Sequence, residues 1–291
     1  MTTTKLYSKK IDYDKFYTKN STAKICIDII DFSIYDFVIE PSAGSGSFLS
    51  QIPHANKIGI DINPECDDIL KMSWFDYIIP NEHHSSLQGE GYSVDTYSKV
   101  LIIGNPPFGI RNNLSKKFIK HSVSFSNVYT VAFILPNVYN KHTMQRVIPK
   151  EYRIKTALSM PENSFEIEGK TYHVPCTFYV FEKSKGPDLR FDPSLYQDTI
   201  DWKYGNDLDY NFYVMGASFE MKDKPEKSNR GYYIKVRPNK DVVKVKNNFE
   251  RLRVLRKQGH VKGYSSVNGG VFWTTKPELV KIYKEKYDKE V

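Results

Sequence analysis

Asn105-Pro106-Pro107-Phe108 follows the apolar run Val100-Leu101-Ile102-Ile103 after a single glycine, and its residue types define a chemistry. Two consecutive prolines fix φ and remove two backbone donors. The Asn105 side-chain oxygen and the Pro106 carbonyl are then free to face one incoming –NH2 group, while Phe108 offers a flat apolar face on which a base can stack. Paired acceptors of this kind suit an amine that is held while its nitrogen attacks. A rigid turn leaving a buried strand is the bland alternative. The presence of a glycine turn upstream, in the right order, favours the chemical reading.

That turn is Glu40-Pro41-Ser42-Ala43-Gly44-Ser45-Gly46-Ser47-Phe48, after the short apolar run Phe37-Val38-Ile39. Glycines at such a turn let the backbone pass close to a ligand where a Cβ would collide. The spacing lacks the third glycine of the dinucleotide fingerprint and the Gly-Lys-Ser/Thr of a phosphate-binding loop, which disfavours NAD and ATP. Asp61 ends the next apolar run, Lys57 to Asp61, where a carboxylate can accept hydrogen bonds from both hydroxyls of a ribose. An ordinary strand-end aspartate capping the following turn is the competing reading.

The elements that must position these residues alternate along the chain. Strands are predicted at Phe37–Ile39, Lys57–Asp61, Asp68–Met72, Val100–Ile103, Val131–Leu135, Ile154–Met160 and Cys176–Phe181. Helical segments are predicted after Ser21 or Thr22, with Ile25, Ile29 and Ile30 on the apolar face, and at Phe48–Ile52, Ser115–Ser124 and His142–Ile148. Such alternation argues for an α/β domain with a mostly parallel sheet. Pro80 to Ser98, with His83 and His84, reads as a surface loop without a metal cluster. The composition shifts near Lys183 to Pro187. Beyond it the chain is tyrosine-rich and irregular, with one good helix at Asp241–Lys257, whose Val242, Val245, Phe249, Leu252 and Leu255 recur at near-helical spacing, and a glycine-serine-aromatic stretch at Gly263–Trp273.

Together these residues resemble the S-adenosylmethionine-dependent amino-methyltransferases, most closely the N6-adenine-specific DNA methyltransferases, over residues 12 to 183. Phe16-Tyr17-Thr18 resembles their N-terminal cofactor motif. The Glu40 to Phe48 segment (Glu40, Pro41, Ser42, Ala43, Gly44 and Gly46) resembles their main cofactor loop. Asp61, with Ile62 beside it, matches the ribose-binding acid, and Asn105 to Phe108 match the catalytic tetrapeptide. Phe165 sits where the family often places an aromatic that stacks on a flipped base. One departure is clear: Ser73 stands before Trp74 where the family usually has an aspartate holding the cofactor adenine, so Asp76 is a candidate substitute. Trp74 is either a stacking ring for that adenine or a core aromatic.

The resemblance implies a Rossmann-like methyltransferase sheet with helices on both faces at residues 1–183 and a smaller basic target-recognition region at 184–291. It implies S-adenosylmethionine as cofactor, contacted also by Ser73, Trp74 and Asn105. Methyl transfer to the N6 amine of a flipped-out adenine then needs no metal. The same tetrapeptide occurs in enzymes that methylate RNA adenines and in those that methylate a protein glutamine. A catalytically silent nucleic-acid-binding subunit is the reading from another class.

Charge bears on the partner. The chain of 291 residues carries a formal net charge of +8. Met221 to Lys262 holds fourteen Lys and Arg against four Asp and Glu, leaving 28 basic and 30 acidic residues elsewhere. A concentrated positive field suits a polyanion and favours nucleic acid over a protein substrate; it is the resemblance that puts DNA before RNA. Arg251, Arg253, Arg256 and Lys257 are the candidate phosphate contacts, and a small recognition region leaves room for a partner subunit. No apolar run reaches a membrane span, and Met1 to Asp12 lacks an apolar core with a cleavage site, so the expectation is a cytoplasmic protein. Cys26, Cys66 and Cys176 match neither a zinc pattern nor a disulfide framework.

Overall fold

The computed structural model describes residues 16–79, 97–167, 169–225, 231–258 and 274–288. The readings of 1–12 as leaderless, of 80–96 as a loop with His83 and His84, and of 263–273 as a glycine-serine-aromatic stretch lie outside the described residues. Parts of the basic segment 221–262 do so too. The chain divides into two compact units, one running to Arg190 and the other comprising 140–142 and the residues from Phe191 onward.

The first unit is built on a seven-stranded sheet. Its strands are β2 (Phe37–Pro41), β3 (Lys57–Asp61), β4 (Ile69–Lys71), β5 (Val100–Gly104), β6 (Val128–Pro136), β7 (Tyr152–Ser159) and β10 (Cys176–Lys183). The order is β4-β3-β2-β5-β6-β10-β7. β4, β3, β2, β5 and β6 are parallel, and β10 runs antiparallel between β6 and β7. This is a Rossmann-like α/β sheet. β2 and β5 are its switch point: the chain winds outward to β4 on one side and to β6 and beyond on the other. In open α/β sheets ligands bind outside the carboxyl ends of strands at such a point.

Both faces of the sheet are buried, the reason its strands read as continuous apolar runs. On one face Phe37, Ile39, Ile102, Val131 and Phe133 share a core with Phe118 and Ile119 of helix α2 (Asn113–Ser122). The alternate residues Val38, Leu101, Ile103, Ala132 and Ile134 are equally buried on the other. Helix α1 (Asn20–Ile27) corrects the sequence reading: it buries Thr22, Ala23, Cys26 and Ile27, while Ile25 and Ile29 are exposed. Its N-cap is Lys19, not Ser21 or Thr22. The start is set from outside the helix, because Lys19 N donates to the Ser164 carbonyl at 3.1 Å. The segment expected as a helix at Phe48–Ile52 is a 3-10 turn at Leu49–Gln51, and the one at His142–Ile148 shortens to α3 (His142–Gln145).

A separate three-stranded sheet, ordered β1-β8-β9, joins β1 (Tyr17–Thr18) to the hairpin β8 (Phe165–Ile167) and β9 (Lys170–Tyr172). It ties the N-terminal arm to a hairpin almost 150 residues away in sequence, with Thr18 opposite Phe165 and Phe165 opposite Tyr172.

The second unit is regular where the sequence looked irregular. Strands β11 (Trp202–Tyr204), β12 (Phe212–Met215), β13 (Met221–Lys222) and β14 (Gly231–Val236) form an antiparallel sheet ordered β11-β14-β12-β13. Helices α4 (Val242–Lys257) and α5 (Lys276–Tyr287) share its core, in which Trp202, Phe212, Phe249, Leu252 and Tyr283 meet. Asp241 caps α4 by accepting from Val243 N at 2.8 Å. The apolar spacing predicted for this helix holds: Val245, Phe249 and Leu252 are buried, and Val242 and Leu255 pack against them.

Candidate active site

A cavity of about 320 Å³ lies in the first unit, and the switch point explains its place. Glu40 at the end of β2, Asp61 at the end of β3 and Asn105 just past β5 all line it. So do Phe16, Tyr17 and Thr18 of the arm, Ser42, Ala43 and Gly44 of the glycine turn, Ile62, Ser73 and Trp74, and Pro106, Pro107 and Phe108. Residues distant in sequence and singled out by type thus meet in one concavity, of the size that takes a small ligand. Pro41 and Gly46 are not on its wall; they shape the turn, where Gly46 N donates to the Ala43 carbonyl at 2.7 Å.

The glycine turn is fixed by backbone bonds to β3. Ser42 N and Ala43 N both donate to the Ile60 carbonyl, at 2.7 and 3.0 Å. Gly44 adopts φ +53, and a Cβ there would lie 3.1 Å from Tyr17 Cε1. Asp61 accepts from Gly44 N through Oδ2 and from Asn63 N through Oδ1, each at 2.8 Å. Asp61 thus caps the turn and also lines the cavity, each carboxylate oxygen keeping acceptor capacity.

Glu40 is only 3% exposed, and its Oε2 accepts from Leu49 N at 2.8 Å. Burial pushes its carboxyl well above the usual range, and the nearby Asp61 charge adds to the rise. The arm is tethered to the same turn. Tyr17 Oη donates to Glu65, whose backbone N donates to the Gly44 carbonyl at 3.0 Å. Burial, then the Glu65 carboxylate, raises the Tyr17 phenol.

Asn105 carries the most telling geometry. Its Nδ2 donates to the Phe16 carbonyl at 3.2 Å, while its Oδ1 is buried and accepts no hydrogen bond from the protein. Buried acceptors are almost always paired, so an exception on a cavity wall points to a ligand donor. Thr18 Oγ1 is in the same state on the same wall. Past Phe108 the turn is anchored from behind: the Phe108 carbonyl accepts from Leu114 N at 3.1 Å and Ser115 N at 3.2 Å, fixing the start of α2.

Two expectations are corrected. Phe165 is fully buried and absent from the cavity wall; its ring meets Phe16 edge-on at 6.4 Å, so it has no open face for a base. Asp76, the candidate substitute for a carboxylate at position 73, is exposed and off the wall. Ser73 Oγ itself accepts from Phe75 N at 3.2 Å as the cap of a 3-10 turn. Trp74 packs in the core, edge-on to His121 at 5.1 Å, and also lines the cavity. Sequence reasoning missed Phe75, whose ring is 40% exposed on the wall and rests edge-on against Phe118 at 5.1 Å. Adjacent aromatics at 74 and 75 were the available signal, but the sequence does not say which one faces inward.

The phosphate candidates on α4 divide as well. Arg251 and Lys257 are exposed. Arg253 pairs with Glu250 at 3.0 Å. Arg256 is half-buried, donates to Thr274 Oγ1 at 2.7 Å and lies 4.5 Å over the Phe219 ring, which makes it a packing residue. Among the described residues no group of three His, Cys, Asp or Glu is placed to hold a metal ion, and no helix is long and apolar enough to cross a membrane.

No protein-family model matches the chain, and no curated protein matches it. Solved structures to which the chain is distantly similar include the following two. One is a Pyrococcus horikoshii protein assigned as an RNA methyltransferase: 14% identity, 56% of this chain and 81% of that one covered, TM-score 0.37. The other is the methyltransferase subunit of a type I restriction-modification system from Streptococcus thermophilus: 14% identity, 81% of this chain covered, TM-score 0.37. This chain spans 53% of that subunit's length. At these scores neither likeness bears on substrate or reaction.

Proposed function

We propose that this chain transfers a methyl group from S-adenosylmethionine to the N6 amine of adenine in nucleic acid, DNA being the favoured substrate. The observation that carries this reading is the buried, unpaired Oδ1 of Asn105 beside Pro106 and Phe108 on the wall of a switch-point cavity. An acceptor left unpaired by the protein suits an –NH2 donor, and the two prolines that follow add no backbone N–H to compete for it.

The residues present fit the cofactor. Asp61, with acceptor capacity left on both oxygens, would hold the ribose hydroxyls, and Ser42 to Gly44 would let the backbone approach it closely. Phe75, Trp74 and Ile62 would flank the adenine, without the family's usual carboxylate at position 73. When bound, S-adenosylmethionine supplies an electrophilic methyl group on a sulfonium. Asn105 Oδ1 and the Pro106 carbonyl would accept from the target amine, draw electron density toward nitrogen and align its lone pair. With the cofactor held there, the amine aligned by Asn105 and Pro106 would take the methyl, the pair of the broken C–S bond would remain on sulfur, and the surplus proton on nitrogen would pass to solvent. Catalysis then rests on positioning and fixed dipoles. Phe108 would stack on the extruded base, partly offsetting an extrusion cost of a few kcal/mol.

The test is transfer of tritium from labelled S-adenosylmethionine to unmethylated duplex DNA, single-stranded DNA and RNA, in wild type and Asn105→Ala. Label in deoxy-N6-methyladenosine that disappears in the variant is the expected result. Label only in RNA overturns the substrate. Label in protein glutamine, or none despite cofactor binding, overturns the reading.

A further inference from the structure

We infer that the hairpin β8–β9 positions the Asn105 amide, acting through the Phe16 carbonyl. This rests on the function proposed above for what the amide does, but not for what holds it.

A side-chain amide has two ends of equal shape and opposite polarity, and its neighbours decide which end points where. At Asn105 the neighbour is the Phe16 carbonyl, 3.2 Å from Nδ2. The reversed amide would set two oxygens against each other at that distance. One orientation alone survives, and it leaves Oδ1 as the buried acceptor without a protein partner. Donation from Nδ2 also polarises the amide and makes Oδ1 the better acceptor.

The carbonyl can orient Asn105 only if it is itself held. Thr18 pairs with Phe165 and Tyr17 with Glu166 across the β1–β8 ladder. Lys19 N donates to the Ser164 carbonyl at 3.1 Å, and Lys19 Nζ to Thr171 Oγ1 at 2.8 Å. The Phe16 ring meets Phe165 edge-on at 6.4 Å and Tyr172 at 6.3 Å. Phe165 and Tyr172 are therefore positioning residues, touching Phe16 and not the reacting atoms. The burial of Phe165 that deprives it of a base-stacking face supports this role.

The experiment uses the full chain with 15N-labelled asparagine. The Asn105 –NH2 signal, assigned by its loss in Asn105→Ala, is expected to contain one slowly exchanging proton. Phe165→Ala and Tyr172→Ala are expected to speed that exchange at least about tenfold, with backbone exchange in β5 and β6 unchanged. Tyr172→Phe, which keeps the ring, is expected to behave as wild type. On unmethylated duplex DNA with saturating S-adenosylmethionine, the alanine variants should lose roughly ten- to a hundredfold in kcat with KM for DNA little changed. Should Phe165→Ala not fold, Tyr172→Ala at its half-buried position carries the test. Unchanged Asn105 exchange in the alanine variants overturns the inference, as does a loss confined to KM. If wild type methylates nothing, the proposed function fails, while the exchange measurement still decides whether the hairpin holds the amide.

Discussion

Asn105 and Glu40 lie on one cavity wall, yet burial acts on them in opposite senses. The Asn105 oxygen is neutral and unpaired, so it keeps its acceptor strength for a ligand. Asn105→Ala is expected to lower methyl transfer roughly a hundredfold or more, with cofactor affinity, read by calorimetry, changed far less. Glu40 is ionisable, and burial raises its pKa above the ordinary 4.5. A carboxyl raised in this way binds more protons in the folded chain than in the unfolded one. Its contribution to stability is full below about pH 4.5 and declines as pH rises toward the folded-state pKa. Glu40→Gln keeps an oxygen for Leu49 N but cannot ionise. Its melting temperature should therefore fall less than that of wild type between about pH 4.5 and 7. Parallel melting profiles for the two proteins would show that Glu40 does not titrate abnormally.

The element that delivers the tetrapeptide is the turn from β5 into α2, and Gly109 is its constrained point. Its φ is +69, and a Cβ there would lie 2.7 Å from Leu114 Cβ and 3.0 Å from Leu114 N. Leu114 cannot retreat, because its backbone is bonded to the Phe108 carbonyl. Gly109→Ala is expected to destabilise the protein by about 2 kcal/mol or more and to depress turnover by displacing Phe108, measured by denaturant melts and kinetics. Strands of this unit were readable because burial on both faces writes itself as runs such as Val100 to Ile103. The face of α1 was not, since Ile25 and Ile29 advertise an apolar side while Lys19 and the distant Ser164 decide where the helix starts. Phe165 was misread for a related reason: sequence order put an aromatic near the site, but pairing of β8 with the arm turned its ring inward.

Across the whole molecule, the sequence told charge better than packing. The tyrosines and tryptophan that made residues beyond 190 look irregular form a second core, because short antiparallel strands of mixed composition carry weak period-2 signals. The basic stretch was legible as composition, but which cations are free to meet a polyanion is a packing question. Arg256 is committed to Phe219 and Thr274, and burial lowers its pKa, whereas Arg251 and Lys257 face solvent. If α4 contacts phosphates, each solvent-facing cation releases counterions on binding and steepens the dependence of affinity on salt. Arg251→Gln and Lys257→Gln are each expected to reduce the slope of log K against log salt by about 0.9 on duplex DNA, with melting temperature unchanged. Arg256→Gln should do the reverse, lowering the melting temperature and leaving the slope alone. Titrations of unmethylated duplex DNA at several salt concentrations separate the two patterns. An unaltered slope in both variants would move the phosphate contacts off Arg251 and Lys257 to other lysines and arginines of the chain, Lys244 on the same helix among them.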